Sequence, residues 1–321
     1  MYEALKYKKR SIILDTDIGP DCDDVGAIVV LISYAKEYGN KILGICNCTS
    51  NIYGTATIDA LKDYCKADDF VIGMYSGPEF YSDHTRYNKF IAETYSENYK
   101  NNALNYLPHV EFYRTLLASA EDDSVVLITI GMFNCLSDLL KSGPDSISPL
   151  CGLDLVKQKV HALVSMAAIY PKGREFNVIC DYEAAKFCFD HFPCPIYLSD
   201  FKIGKSVNTG YNVDDSDSHK GDLIFDAYRL YTADWPKKGF NRSFDLTAIQ
   251  FAFEGVGNIY TLTEAGNLEF FNENPKALPN ADATEFIEDI NGNIRFMVKV
   301  ADDKTIEALL QERMDQFYDI T

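Results

Sequence analysis

The sequence predicts an α/β protein built on an open, mostly parallel sheet with helices on both faces. Three observations carry this. Apolar, β-branched runs of strand length recur along the chain, helix-period segments lie between them, and polar residues able to do chemistry cluster just after several of the runs. In such sheets ligands bind beyond the carboxyl ends of the strands, so the residues after each run matter most.

Taken in order, SIILDTD at residues 11–17 reads as a strand ending in Asp15, Thr16 and Asp17, and residues 24–38 carry the helix period behind it. KILGICNCT at 41–49 repeats the pattern, with Thr49 and Asn51 at its end and a helix over 55–66. Further strands are read at SVVLITI, which ends near Thr129, at KVHALVSM and at CPIYLSD. Two segments, 74–108 and 211–242, show no clear period and read as long surface excursions beside a site. Near the C-terminus NIYTLTEAGNLEFF and FIEDINGNIRFMVKV alternate about turn signals. A hairpin region is expected there, with Asn291-Gly292 as the clearer turn, closed by a helix over 303–317. No repeat or linker interrupts this order, which predicts a single domain over residues 1–321.

The chain carries 48 acidic against 30 basic residues, and a net charge of −18 repels phosphate backbones, so no nucleic-acid polymer is expected as a partner. With 47% hydrophobic residues it can bury a sizeable core, which a disordered chain cannot. The polar, basic opening and the short apolar run behind it fit neither a signal peptide nor a membrane span. A cytoplasmic protein with no membrane partner is expected. Nine cysteines, an odd number scattered over strands and helices, read as mostly buried free thiols. Cys46 and Cys48 share a strand face but lack a second pair at ligand spacing, which argues against zinc.

The most informative stretch is IILDTDIGPDCDDVGAIVVLI, where Asp15, Asp17, Asp21, Asp23 and Asp24 crowd one strand-to-helix turn. A helix N-terminus stabilises one or two negative charges, but five acids in ten residues repel unless a cation sits among them. All-oxygen ligands select a hard ion, Ca²⁺ or Mg²⁺. The blander reading is an exposed acidic turn with Asp23 as a plain helix cap.

At these residues the sequence resembles the nucleoside hydrolase family, of the inosine-uridine preferring type. Asp15-Thr16-Asp17-Ile18-Gly19 followed by Asp23-Asp24 is similar to the family's DxDxGxDD loop with two residues inserted, a register that leaves Asp21 able to replace Asp23. REFNVICDYEAA (174–185) is similar to its EFN segment, ITIGMFNCL (128–136) to its Thr-x-Gly-x-x-Asn turn, and SFDLTA (243–248) to its late Asp-containing helix start. The four segments keep the family's order from residue 12 to 248.

The resemblance implies a Ca²⁺ ion held by Asp17, Asp24, Asp245 and the backbone carbonyl of Thr129, with Asp17 as general base on a metal-bound water. It assigns Asp23, Asn51, Glu175 and Asn177 to the ribose hydroxyls. The implied activity is hydrolysis of the N-glycosidic bond of a small-molecule ribonucleoside, in base salvage, by a homodimer or homotetramer. An acid-rich pocket suits the oxocarbenium-like transition state of that reaction. Two features depart from the family pattern. Phe244 stands where inosine-uridine preferring members carry a His proposed to protonate the leaving base, so Phe244 and Trp235 are expected to stack on the base instead. The segment VSMAAIYPKGREFN lacks the Gly-rich turn and Asn-bearing loop usual before EFN. Two alternatives stay open: a nucleoside- or ribose-binding protein on the same fold, and a Mg²⁺-dependent haloacid dehalogenase-type phosphatase with Asp15 as nucleophile.

Overall fold

The computed structural model describes residues 2–67, 69–82, 86–215, 219–271 and 283–320. In chain order its strands are β1 (Ser11–Thr16), β2 (Ile42–Asn47), β3 (Val71–Met74), β4 (Leu107–Pro108), β5 (Val125–Thr129), β6 (Val160–Met166) and β7 (Lys172–Gly173). They continue as β8 (Ile196–Ser199), β9 (Asn208–Gly210), β10 (Phe240–Arg242), β11 (Tyr260–Leu262), β12 (Gly266–Phe271), β13 (Ala283–Glu288) and β14 (Ile294–Lys299). One sheet runs β4-β3-β2-β1-β5-β6-β8-β14-β12-β13-β7, with β11 beside β14, and β9 and β10 form a separate ribbon.

From β4 to β14 every neighbouring pair is parallel, and the remaining strands of this sheet pair antiparallel. β1 explains why both faces are covered. Ile12 and Leu14 enter one apolar layer and Ile13 the other, so each face of the strand needs its own helices. Helix Asp23–Tyr38 is buried on all sides from Asp23 to Ala35, because it lies between the sheet and helices Phe244–Glu254 and Asp303–Ile320. All nine cysteines are free, and only Cys151 and Cys180 are partly exposed.

The chain path creates the crevice. From β1 it steps outward through β2, β3 and β4, then returns to β5 on the other flank and moves out through β6 and β8. The direction reverses between β1 and β5, where Asp15 pairs with Thr129, so the carboxyl ends of both strands open at one level.

Two sequence expectations are corrected. Asn291 lies in a turn, but β13 and β14 on either side of it are not paired, because β12 runs between them; the hairpin is β12-β13. β14 instead extends the parallel sheet against β8, which needs no tight turn. The excursions are also more regular than their composition suggests. The first contains helices Asn88–Tyr95 and Glu97–Lys100, and the second helix Leu223–Tyr231. The two pack on each other, with the Tyr95 hydroxyl donating to Asp226 at 2.7 Å.

Candidate metal and substrate site

The loop leaving β1 is fixed from three sides. The Ile18 N–H donates to Thr16 Oγ1 at 3.2 Å, and the Ile18 carbonyl accepts from Asn88 Nδ2 at 2.9 Å. From β5 the backbone approaches so closely that a Cβ on Gly131 would lie 2.6 Å from the Asp17 nitrogen. Asp17 is thereby held at the crevice with little freedom.

Asp21, Asp23, Asp24 and Asp245 bring carboxylate oxygens within 4.8 Å of one another, a group that does not include Asp17. Burial is the largest cause raising the pKa of Asp17, and the charges of Asp24 and Asp21 raise it further. The other four acids are shifted upward, again chiefly by burial. Buried acids this close hold protons unless a cation takes their place. An orphaned atom argues for the cation. Asp24 accepts from the Thr16 hydroxyl with Oδ1, but its Oδ2 is buried without a partner. A hard divalent ion fits this all-oxygen set, and Asp21 joins the carboxylates expected to face it.

Asp23 is not the cap of its own helix, whose N-cap is Cys22. Its Oδ2 instead accepts the Asp245 N–H at 3.1 Å, and its Oδ1 accepts from Asn241 Nδ2 at 3.3 Å. It therefore caps helix Phe244–Glu254 and ties the two acidic segments together. Asp15 leaves the cluster altogether. It lies on the face of Ile13, accepts from the Tyr113 hydroxyl, and sits with Cys46 and Cys135. The five acids of the turn thus divide, and the nucleophile of the phosphatase alternative is not among the residues of the cavity wall.

Across the crevice Glu175 is the N-cap of the short helix Phe176–Ile179. Its carboxylate accepts from the N–H groups of Asn177 at 2.9 Å and of Val178 and Ala168 at 3.2 Å each. Burial nevertheless pushes its pKa up to about 7. Asn177 Nδ2 donates to the carbonyls of Met166 and Ile130, at 3.1 and 3.3 Å, joining the ends of β6 and β5. Asn51 is placed differently: its side chain accepts the Tyr53 N–H and caps helix Ile52–Tyr64, away from the cavity wall.

A cavity of about 290 Å³ joins these groups, lined by Asp17, Asp21, Glu175, Asn177 and Asp245 and by the aromatic residues Phe176, Phe201, Tyr231 and Phe244. Phe201 and Phe244 stack with ring centroids 5.0 Å apart. Trp235 does not reach the wall; it packs edge-on against Tyr231 at 5.3 Å. Asn88, Tyr231 and Arg242 are contributors that the sequence pattern does not single out, since all three come from the irregular excursions.

No family model and no curated protein matches the chain. Solved structures do. The inosine-uridine preferring nucleoside hydrolase of Bacillus anthracis superposes with a TM-score of 0.69 at 12% identity, over 96% of this chain and 98% of that one. An inosine-guanosine nucleoside hydrolase gives 0.69 at 19% identity, over 95% and 99%. The fold is nucleoside hydrolase-like. The purine-preferring ribonucleoside hydrolase of Gardnerella vaginalis shares this nucleoside hydrolase-like fold, with a TM-score of 0.68 at 15% identity over 97% of this chain and 100% of its own. At these identities the likeness carries the architecture alone.

Proposed function

We propose that the protein hydrolyses the N-glycosidic bond of ribonucleosides to free base and ribose, with Ca²⁺ as cofactor and Asp17 as general base. The observation supporting this reading is the cavity at the sheet's reversal point, with converging carboxylates on one wall and Glu175 and Asn177 on another, in a nucleoside hydrolase-like fold. Asp17, Asp24, Asp245 and the Thr129 carbonyl would hold the cation, with Asp21 beside them. Bound there, it would supply the positive charge that acidifies and positions a water.

The Asp17 carboxylate, which lines the cavity, takes the proton of the attacking water. Glu175 and Asn177 hold ribose hydroxyls. As the C1′–N bond lengthens, positive charge grows on the ribosyl group and the acidic wall stabilises it. Phe201, Phe244 and Tyr231 flank the base. The same reading includes a cytoplasmic homodimer or homotetramer, and among the described residues no helix is long and apolar enough to cross a membrane.

Phe244 favours one second reading, in which the pocket binds ribonucleosides without cleaving them. The test is release of free base from a panel of purine and pyrimidine ribonucleosides, with Ca²⁺ and with chelator, beside an Asp17→Ala variant. Hydrolysis requires turnover that chelator abolishes and that the variant lowers by at least about 10²–10⁴-fold. Binding without turnover supports the second reading, and neither binding nor turnover overturns both.

A further inference from the structure

One cation stands on the wall of the acidic cavity. Arg242 ends β10, two residues before helix Phe244–Glu254, and is exposed. Among the described residues it is the only basic side chain lining the cavity, and its guanidinium makes no hydrogen bond or ion pair. An arginine within reach of a carboxylate commonly pairs with it through two hydrogen bonds. Here Asp17, Asp21, Glu175 and Asp245 line the same cavity and none pairs with Arg242. Both kinds of charge line one cavity of about 290 Å³ without pairing.

We infer that Arg242 stabilises the departing base, an inference that rests on the hydrolase reading above. When the C1′–N bond breaks, its electron pair goes to the base nitrogen, so the base leaves as an anion unless a proton meets it. The attacking water gives its oxygen to C1′ and one proton to Asp17, and solvent later returns a proton to the base. Phe201 and Phe244 have no proton to give. Acids on the ribosyl side and a guanidinium on the base side match the charge separation that bond breaking creates. Arg242 acts here as a fixed positive charge rather than as an acid. Bases that tolerate negative charge, such as 6-oxopurines and uracil, are the leaving groups it suits.

The experiment compares kcat/KM of wild type, Arg242→Gln, Arg242→Lys and Tyr231→Phe on inosine, on uridine and on 4-nitrophenyl riboside, whose phenolate leaves unaided. Arg242→Gln is expected to lose about 10²–10³-fold on inosine and uridine. On the nitrophenyl riboside it should lose no more than about threefold, with Arg242→Lys intermediate on the nucleosides. The pH profile should keep its shape in the variants, and thermal melting should match wild type, since the side chain is exposed and unpaired. Equal losses on all three substrates, or no loss on the nucleosides, overturn the inference. So does a leaving-group-selective loss in Tyr231→Phe but not in Arg242→Gln, which would move the role to the tyrosine. A wild type inert on all three substrates defeats the hydrolase reading itself, whereas an active wild type with an unaffected Arg242→Gln defeats only this inference.

Discussion

Glu175 carries a pH dependence whose sign follows from its surroundings. Burial raises its pKa to about 7 even though three backbone N–H groups favour its charged form. On the proposed reading, the carboxylate that would accept a ribose hydroxyl is therefore complete only above neutrality. KM for a ribonucleoside should fall as pH rises through about 7, and Glu175→Gln should remove that step while raising KM by roughly 10–100-fold, from ~1–3 kcal/mol per hydroxyl contact. For stability the sign is opposite. Its contribution is complete below the ordinary glutamate value and is lost as pH rises through 7. At this scale the sequence spoke unevenly. Asp24 and Asp245, each in the first turn of a helix, lie in one group of carboxylates with Asp21 and Asp23, and Asp17 on the loop after β1 stands beside them. Asp15 did not follow, although strand alternation already sets it on the face of Ile13. Asn51 and Trp235 are engaged elsewhere, and nothing in their local pattern distinguishes a helix cap or an edge-on ring contact from a ligand contact.

Elements bring these residues together through close backbone contact. Helix Phe201–Lys205 crosses the start of helix Phe244–Glu254 at Gly204, where a Cβ would lie 2.3 Å from Phe244 Cα. Backbone cannot yield as a flexible side chain does. Gly204→Ala should lower stability by about 1–3 kcal/mol in urea unfolding and shift the helix start that carries Asp245, so that Ca²⁺ raises the melting temperature less than in wild type. The parallel strands were legible because they are buried on both faces and read as apolar runs. The helices inside the excursions were not: Asn88, Ile91 and Ala92 are the buried residues of Asn88–Tyr95, and a buried asparagine hides the period. Asn291-Gly292 misled for another reason, since a turn signal fixes the local bend and says nothing about which strands pair afterwards.

For the molecule as a whole, the acidic site is a source of instability that a cation would relieve. Asp17, Asp21, Asp23, Asp24 and Asp245 all have raised pKa values, so in the metal-free protein they favour folding at low pH and oppose it as pH rises. Chelator should lower the melting temperature more at high pH than at low pH, where protons compete with the cation for the carboxylates. At a hundredfold excess over Kd, Ca²⁺ should add about 2.7 kcal/mol. A gap between chelated and Ca²⁺-loaded protein that stays constant with pH would refute this account of the cluster. The link between Asp23 and the Asp245 N–H, 222 residues apart in the chain, has a consequence for synthesis. A ribosome delivers the N-terminal acids early, while the amide that anchors Asp23 and the carboxylate that completes the group emerge only with the last third of the chain. A nascent or truncated chain ending before residue 245 has an open ring of acids and a central strand with no completed site beside it. Tight metal capture by this protein would therefore mark a polypeptide whose translation has passed that point.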